Sequence, residues 1–243
     1  MYKNYIFDLY GTLADIHTDE SDITLWEKTA EVYTKNGAAY TAKQLQSDYI
    51  KAVKNEKKAV HKAHPEYEHI DIKIEKVFSL LYRSKGVECG DNDKLTLDTA
   101  LFFRQCSREY IKLYNGIADL LDDLKKAGGR VYLLTNAQRS FTWEELKLLG
   151  ILDKFDGILI SSDIECSKPD IHFFKAILSR FELKAEESIM SGNDPTADIR
   201  GAKAAGMSAL YIHTNISPEF DPNCGADFII PNGDTLKMRD YLL

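Results

Sequence analysis

The segment YIFDLYGT, residues 5–12, combines a predicted strand with a polar turn and is the starting point for predicting the fold. A short apolar run from Tyr5 to Phe7 ends at Asp8, and a turn follows at Gly11. This pattern predicts a buried strand that stops where the carboxylate begins. Ligands bind at the carboxyl ends of the strands in parallel sheets, so Asp8 is a candidate functional residue. Taken alone, an aspartate before a glycine is more often an ordinary turn residue.

From Asn115 onward, short apolar runs alternate with amphipathic segments. The apolar runs are Arg130 to Leu134, Gly157 to Ile160, Ser188 to Met190, Ala209 to His213 and Asp227 to Ile230. The amphipathic segments, each about as long as a crossover helix, are Ile117 to Ala127, Thr142 to Leu149, Ile171 to Phe181 and Ala197 to Ala205. Strands that alternate with helices in this way predict an α/β fold with a Rossmann-like, doubly wound parallel sheet.

The region between residues 15 and 114 has helical periodicity without a strand pattern. Its predicted helices are Ile23 to Lys35, Ala42 to Ala63, Ile70 to Ser84 and Thr96 to Tyr114, with breaks at Gly37, at Pro65 and between Gly86 and Gly90. We therefore predict two domains. A Rossmann-like core comprises residues 1–14 and 115–243, and a helical domain of residues 15–114 is inserted after the first strand.

The composition narrows the classes of partner. Of the 243 residues, 44% are hydrophobic and 28% are charged, which is the balance of a globular protein in water. The formal net charge of −7 repels phosphate backbones and anionic membrane surfaces, so we predict no nucleic-acid partner. No apolar run approaches the ~20 residues of a membrane span, and the N-terminus lacks the pattern of a signal peptide. With four scattered cysteines, these features predict a cytoplasmic protein and leave its oligomeric state open.

Polar residues stand at the ends of predicted strands or at the start of the helix that follows. They are Asp8-Leu9-Tyr10-Gly11-Thr12, Thr135-Asn136, Ser167-Lys168-Pro169 and Ser191 to Asp198. Each of the last three could also be an ordinary strand end or helix start. In this order and at these positions, however, they resemble the motifs of the haloacid dehalogenase superfamily of hydrolases. The resemblance covers residues 1–14 and about 115–236, and the inserted helices resemble the superfamily's C1 type of cap by position and helical character only.

The resemblance implies a role for each of these residues. Asp8 would be a nucleophile that forms a covalent aspartyl intermediate, Lys168 would offset negative charge, and Thr135 would bind the anionic oxygens of the substrate. The residues implied to contact the substrate are Tyr10, Thr12, Asn136 and Asn193. The substrate itself would be a small anionic molecule, over which the helical cap opens and closes.

Phosphatases of the superfamily bind Mg²⁺, which implies a metal site in this chain. Its ligands would be the carboxylate of Asp8, the main-chain carbonyl of Tyr10, and the side chain of Asp194 or Asn193. These are oxygen ligands of the kind that Mg²⁺ prefers. Asp198 would orient Lys168 or lie behind the metal ligands.

Two departures from the phosphatase pattern leave the reaction open. Phosphatases of the superfamily carry a general acid two residues after the nucleophile, where this chain has Tyr10, and losing such help typically costs on the order of 10² to 10⁴ in rate. The form of this motif, together with Asn193, resembles the L-2-haloacid dehalogenases, which need neither that acid nor a metal. The chain has no clear match for their halide-binding arginine, however, and has Phe174 where they carry a tyrosine. Asp194 supplies a further acidic group for Mg²⁺ and favours a phosphatase.

We predict a Mg²⁺-dependent phosphohydrolase that acts on a small phosphorylated metabolite. One alternative is a metal-independent L-2-haloacid dehalogenase. Another, in a different functional class, is a non-catalytic protein that binds a phosphorylated ligand. The missing acid motivates this last alternative, and the retained Asp8, Thr135 and Lys168 argue against it.

Overall fold

The computed structural model describes residues 2–243. In chain order its strands are β1 (Asn4–Phe7), β2 (Ala14–Thr18), β3 (Arg108–Leu113), β4 (Arg130–Thr135), β5 (Gly157–Ile160), β6 (Ser188–Gly192), β7 (Ser208–Ile212) and β8 (Phe228–Ile230). Its α-helices are α1 (Ile23–Lys35), α2 (Ala42–Ala63), α3 (Ile74–Arg83), α4 (Lys94–Ser107), α5 (Ile117–Lys126), α6 (Arg139–Leu148), α7 (Ser161–Ile164), α8 (Ile171–Arg180), α9 (Gly201–Ala204) and α10 (Met238–Leu242). A π-helical segment, Pro195–Arg200, leads directly into α9.

Six strands form one parallel sheet in the order β5-β4-β1-β6-β7-β8, which confirms the predicted fold. Side chains alternate across the strands, as the period of two requires. Tyr5 and Phe7 pack with α5 and α10 on one face of the sheet, whereas Ile6 packs with α8 on the other. Because β1 lies between β4 and β6, the residue that follows it, Asp8, stands at the middle of the carboxyl edge.

Helices α1 to α4 pack around an apolar core of their own, in which Trp26, Tyr33, Phe78 and Phe103 are buried. Strand β2 precedes these helices in the chain and β3 follows them, and the two strands pair as an antiparallel ladder. None of the helices in the described part of the chain has both the length and the apolar content that crossing a bilayer requires.

The structure contradicts two expectations for this region. The helix predicted from Thr96 to Tyr114 ends at Ser107, because the next six residues form β3, and the partner strand β2 was not predicted at all. A strand depends on its partner, and the partner here lies far away in sequence, so local periodicity does not reveal it. The helix predicted from Ile70 begins at Ile74 instead, and the main-chain N–H of Asp71 just before it donates to the carbonyl of Glu165.

Candidate active site

A cavity of about 240 Å³ opens at the carboxyl edge of the sheet. It is lined by Asp8, Tyr10, Asn136, Lys168, Asn193, Asp194, Ala197, Asp198, Ile216 and Pro218. The structure therefore brings together most of the residues selected from the sequence, with Thr12 and Thr135 left out of the lining. A larger cavity, about 440 Å³, lies between α3, α4 and the start of α6 and holds none of these residues.

The centre of the small cavity is a buried ion-pair group, which we name the Lys168 cluster and which consists of Asp8, Lys168 and Asp198. The Lys168 ammonium donates to Asp8 Oδ1 at 2.7 Å and to Asp198 Oδ1 at 2.6 Å. It also donates to the carbonyl of Leu134 at the end of β4, at 3.0 Å. The side chains of Lys168 and Asp198 are each 2% exposed and that of Asp8 is 9% exposed, so Asp8 is the member that reaches the cavity most openly.

Burial and charge act in opposite directions on the pKa values of this cluster. Burial disfavours the charged amine, but Asp198 and Asp8 outweigh that effect and hold the pKa of Lys168 above its ordinary value. Burial raises the pKa of Asp198, and the adjacent ammonium opposes the rise. Lys168 is therefore a fixed positive charge at neutral pH, in contact with a carboxylate that faces the cavity.

The main chain of Lys168 is held from two sides. The Asn136 side chain accepts from the Lys168 N–H at 2.8 Å and donates to its carbonyl at 3.0 Å, so both ends of this amide are engaged. The helical region supplies the other contact, because the N–H of Ser167 donates to the carbonyl of His69 at 2.9 Å. Asn136, predicted to contact the substrate, thus uses its side chain to position Lys168.

The turn after β1 is shaped around Asp8. Gly11 has a φ of +84°, and a Cβ atom built there would lie 2.3 Å from Asn193 Nδ2, so only glycine fits. Thr12 is fully buried, and its hydroxyl donates to Asp8 Oδ2 at 3.3 Å and to Asn193 Oδ1 at 3.4 Å. Thr12 was predicted to contact the substrate, but its hydroxyl is buried behind Asp8 and supports that carboxylate instead.

Two hydroxyl groups on β4 and β6, the strands that flank β1, lack partners. Thr135 Oγ1 in β4 and Ser191 Oγ in β6 are buried, and neither makes a hydrogen bond within residues 2–243. A buried hydroxyl without a partner is costly, and such groups are often completed by a ligand or water. The unpartnered hydroxyl of Thr135 is consistent with its predicted role of binding an anionic oxygen.

The residues predicted to bind Mg²⁺ fit a metal by their chemistry. Asp8, Asn193 and Asp194 line one cavity and carry only oxygen atoms as possible metal ligands. Asp194 also caps the helical segment that follows, because its Oδ1 accepts from the N–H groups of Thr196 and Ala197, both at 2.8 Å. Within residues 2–243 no three His, Cys, Asp or Glu side chains cluster as a metal site, so a bound ion here would also need amide or carbonyl oxygens.

Tyr10 stands at the position of the expected general acid, but its hydroxyl is bound by Glu145 and not by the residues predicted to bind Mg²⁺. The hydroxyl donates to Glu145 Oε2 in α6 at 2.5 Å. Glu145 also accepts from Arg104 Nε in α4 and from an Arg108 nitrogen at the start of β3, both at 2.8 Å. The Arg104 guanidinium lies over the rings of Tyr10 and Phe141. We name Tyr10, Arg104, Arg108 and Glu145 the Glu145 cluster.

The charges of the Glu145 cluster fix the protonation of its members. Burial opposes ionisation of Glu145, but hydrogen bonds from Arg104, Tyr10 and Arg108 hold the pKa of this carboxyl below its usual range. Burial and the adjacent carboxylate raise the pKa of Tyr10 well above its ordinary value. Sequence reasoning missed Glu145, Arg104 and Arg108, because none of them follows the carboxyl end of a predicted strand.

Comparison with known proteins identifies the family to which this chain belongs. A model of haloacid dehalogenase-like hydrolases matches residues 2–206. The chain is 33% identical over 126 residues to the phosphoserine phosphatase of Thermus thermophilus, covering 52% of this chain and 49% of that enzyme, or about half its length. It is 25% identical over 212 residues to the glyceraldehyde 3-phosphate phosphatase of Pyrococcus abyssi, covering 87% of this chain and 81% of that enzyme.

A solved structure supports the fold. The 2-haloacid dehalogenase of Pseudomonas syringae is similar with a TM-score of 0.66 at 20% identity, covering 100% of this chain and 98% of that one. Because the family model matches most of the sequence and the fold agrees, this chain is a hydrolase of the haloacid dehalogenase-like family.

Proposed function

We propose that this hydrolase is a Mg²⁺-dependent phosphohydrolase of a small phosphorylated metabolite, with Asp8 as its nucleophile. The observation that carries the proposal is the Lys168 cluster, where a buried ammonium contacts a carboxylate that faces the cavity. The curated relatives named above are phosphatases, which favours phosphoryl transfer over cleavage of a carbon–halogen bond.

In the first step, a carboxylate oxygen of Asp8 attacks the phosphorus atom of the substrate. The bond from phosphorus to the leaving oxygen breaks, and that oxygen keeps the electron pair. Lys168 offsets negative charge throughout. The hydroxyl of Thr135, which is buried, without a partner among the described residues and outside the cavity lining in this structure, would donate to a phosphoryl oxygen once the substrate is bound. In the second step, water attacks the phosphorus of the aspartyl phosphate, which releases inorganic phosphate and restores the Asp8 carboxylate.

The proton for the leaving oxygen comes from solvent in this scheme. Tyr10 cannot supply it, because its hydroxyl is bound by Glu145 and its pKa is raised well above the ordinary value. General acid catalysis is therefore missing from the first step, and the rate depends strongly on the leaving group. We infer that preferred substrates carry a leaving oxygen of low basicity, as acyl phosphates and aryl phosphates do.

A metal would be held by Asp8, Asp194, the Tyr10 carbonyl and Asn193. When bound, Mg²⁺ supplies positive charge that offsets the phosphoryl oxygens. The Lys168 cluster alone contains two carboxylates and one ammonium, so an anionic substrate needs this additional charge.

The test is steady-state hydrolysis of a panel of acyl, aryl and alkyl phosphates, with Mg²⁺ or with EDTA. Wild type is compared with Asp8→Asn, which keeps the shape of the side chain. We expect wild type to hydrolyse the acyl and aryl phosphates only when Mg²⁺ is present. In Asp8→Asn the rate should fall by a factor of roughly 10⁴ or more. Activity that persists in Asp8→Asn contradicts the proposed nucleophile, and activity that persists in EDTA contradicts the proposed metal.

One observation favours a second candidate, an L-2-haloacid dehalogenase. A halide leaves without a proton, so a tyrosine whose hydroxyl is bound elsewhere would be no handicap. The measurement is chloride release from 2-chloropropionate in EDTA, made on protein that fails to hydrolyse the phosphate panel. If neither reaction occurs but inorganic phosphate binds, the chain belongs to the non-catalytic alternative.

A further inference from the structure

Part of the wall of the cavity at Asp8 is apolar. This part lies on a loop of the core and not on the inserted helices. Ile216 and Pro218, on the segment after β7, line the cavity. Ile216 is 37% exposed, so much of its side chain is open to the cavity or to solvent. In this structure no residue of the inserted region 15–114 lines the cavity. The segment Thr214–Pro218, which we name the β7 loop, therefore supplies an apolar surface in the same cavity as the nucleophile.

The β7 loop is tied to the residues that shape the site. The Thr214 hydroxyl donates to the Gly11 carbonyl at 2.6 Å, and the Thr214 N–H donates to Ser217 Oγ at 2.8 Å. Asn193 Nδ2 donates to the same Ser217 oxygen at 3.3 Å. Thr214 and Asn193 are both buried. These bonds fix the wall relative to Asp8, so a substrate meets a preformed surface.

The charges around the cavity are strongly one-sided. Among the described residues that line it, Lys168 is the only cation, against the carboxylates of Asp8, Asp194 and Asp198. Two arginines on other elements of the core are each bound by a carboxylate. Arg139 at the start of α6 pairs with Asp163, and Arg200 pairs with Asp221 at 2.8 Å.

A carboxylate in the leaving part of a substrate would find no free cation among the described side chains of this lining, and the Mg²⁺ proposed above would offset the phosphoryl oxygens instead. Lys168 already contacts two carboxylates, and Arg104 and Arg108 are both engaged by Glu145. An unpaired charge brought next to like charges and apolar side chains costs free energy of binding. The same surroundings accept an uncharged, apolar group.

We propose that the β7 loop sets substrate choice. It selects phosphorylated substrates whose leaving group is uncharged and apolar where it meets Ile216, and it rejects leaving groups that carry a carboxylate. This inference rests on the proposed phosphohydrolase function and names the class of substrate for that site.

The test compares phenyl phosphate with 4-carboxyphenyl phosphate, whose carboxylate does not make the phenol a poorer leaving group. We expect kcat/KM to be at least about tenfold lower for the carboxylated ester in wild type. Ile216→Lys places a cation in the wall and should reduce this difference to less than about threefold. Ile216→Ala should lower kcat/KM for phenyl phosphate by roughly three- to tenfold, while the value for acetyl phosphate changes by less than about twofold.

Ile50→Lys is the matched control, because Ile50 lies on α2, is 58% exposed and does not line the cavity. It should leave the ratio between the two aryl esters unchanged. Equal hydrolysis of both esters by wild type, or a ratio that Ile216→Lys leaves as it is, overturns the role of the β7 loop while the phosphohydrolase function stands. Failure of wild type to hydrolyse any phosphate in the panel contradicts the proposed function and this inference with it.

Discussion

Two buried charged clusters, each of which includes one residue of the turn after β1, have opposite arrangements. In the Lys168 cluster, one ammonium lies between two carboxylates. In the Glu145 cluster, one carboxylate lies between two guanidinium groups and also accepts from Tyr10. Asp8 and Tyr10 are two residues apart in sequence, yet their polar groups belong to different clusters.

The clusters also differ in what remains free to react. Asp8 lines the cavity, so part of its carboxylate is available to a ligand. Glu145 has no exposed surface, and the side chains of Arg104 and Arg108 are only 12% and 16% exposed. All partners of Glu145 are protein groups that join α4, β3 and α6. Burial of a charge therefore indicates catalysis only where one of its contacts is left open to a ligand.

Among variants that keep the nucleophile Asp8, removal of the cation from the Lys168 cluster should have the largest effect on turnover. Lys168→Met leaves two carboxylates without their shared partner, and we expect kcat to fall by roughly 10² to 10³. The control is Lys3→Met, because Lys3 forms an exposed ion pair with Glu187 at 2.8 Å. A rate in Lys168→Met within about tenfold of wild type, with the control unchanged, removes Lys168 from the reaction.

Glu145→Gln should have the largest effect on stability. It leaves two buried guanidinium groups without their anion, which typically costs about 3–5 kcal/mol of the free energy of unfolding. The adjacent Glu144 pairs with Lys147 at 2.7 Å on the exposed side of α6, so Glu144→Gln should change that free energy by less than about 0.5 kcal/mol. Urea unfolding of the two variants measures the difference, and equal midpoints would refute the structural role of Glu145.

The stability difference should depend on pH in a defined direction. The pKa of Glu145 is lowered in the folded state, so its contribution is complete above the ordinary glutamate value of about 4.3 and is lost as pH falls through the lower folded value. The gap in Tm between wild type and Glu145→Gln should therefore narrow below about pH 4. A gap that stays constant down to pH 2.5 indicates that the charge of Glu145 does not stabilise the fold.

Tyr10→Phe should have the smallest effect and decides to which cluster Tyr10 belongs. The variant loses one hydrogen bond to Glu145, which we expect to lower the free energy of unfolding by about 1 kcal/mol. If the Tyr10 hydroxyl does not protonate the leaving group, the ratio of the rate on acyl phosphates to the rate on alkyl phosphates should be the same in Tyr10→Phe as in wild type. A ratio that rises more than about tenfold shows that the phenol protonates the leaving group.

Most of the sheet could be predicted from the sequence because each strand is a short apolar run followed by a helical segment. The Lys168 cluster could be predicted from the sequence for a related reason. Asp8, Lys168 and Asp198 all stand beside strand ends or helix starts, and the carboxyl ends of parallel strands meet at one edge.

The Glu145 cluster and the β2–β3 ladder could not be predicted in this way. Glu145 lies in the interior of α6, where a charged residue ordinarily faces solvent. Its two arginine partners come from the inserted region, so the ion pairs exist only once α4 packs on α6. Ile216 was missed because a loop position has no periodicity, and only the fold places it beside Asp8.

The β2–β3 ladder has a consequence for how the chain folds. The central strand β1 pairs with β4 across 126 residues, counted between Asn4 and Arg130. Long loops slow such pairing, because their ends must meet before any contact forms. Once the ladder has formed, the N–H of Tyr114 donates to the carbonyl of Leu13 at 3.0 Å, and the remaining path between the two strands is short. The cost of closing the insertion then falls on the ladder itself, and that cost grows by only about 0.6 kcal/mol for each doubling of loop length. We therefore expect assembly of the sheet to depend only weakly on the length of the insertion.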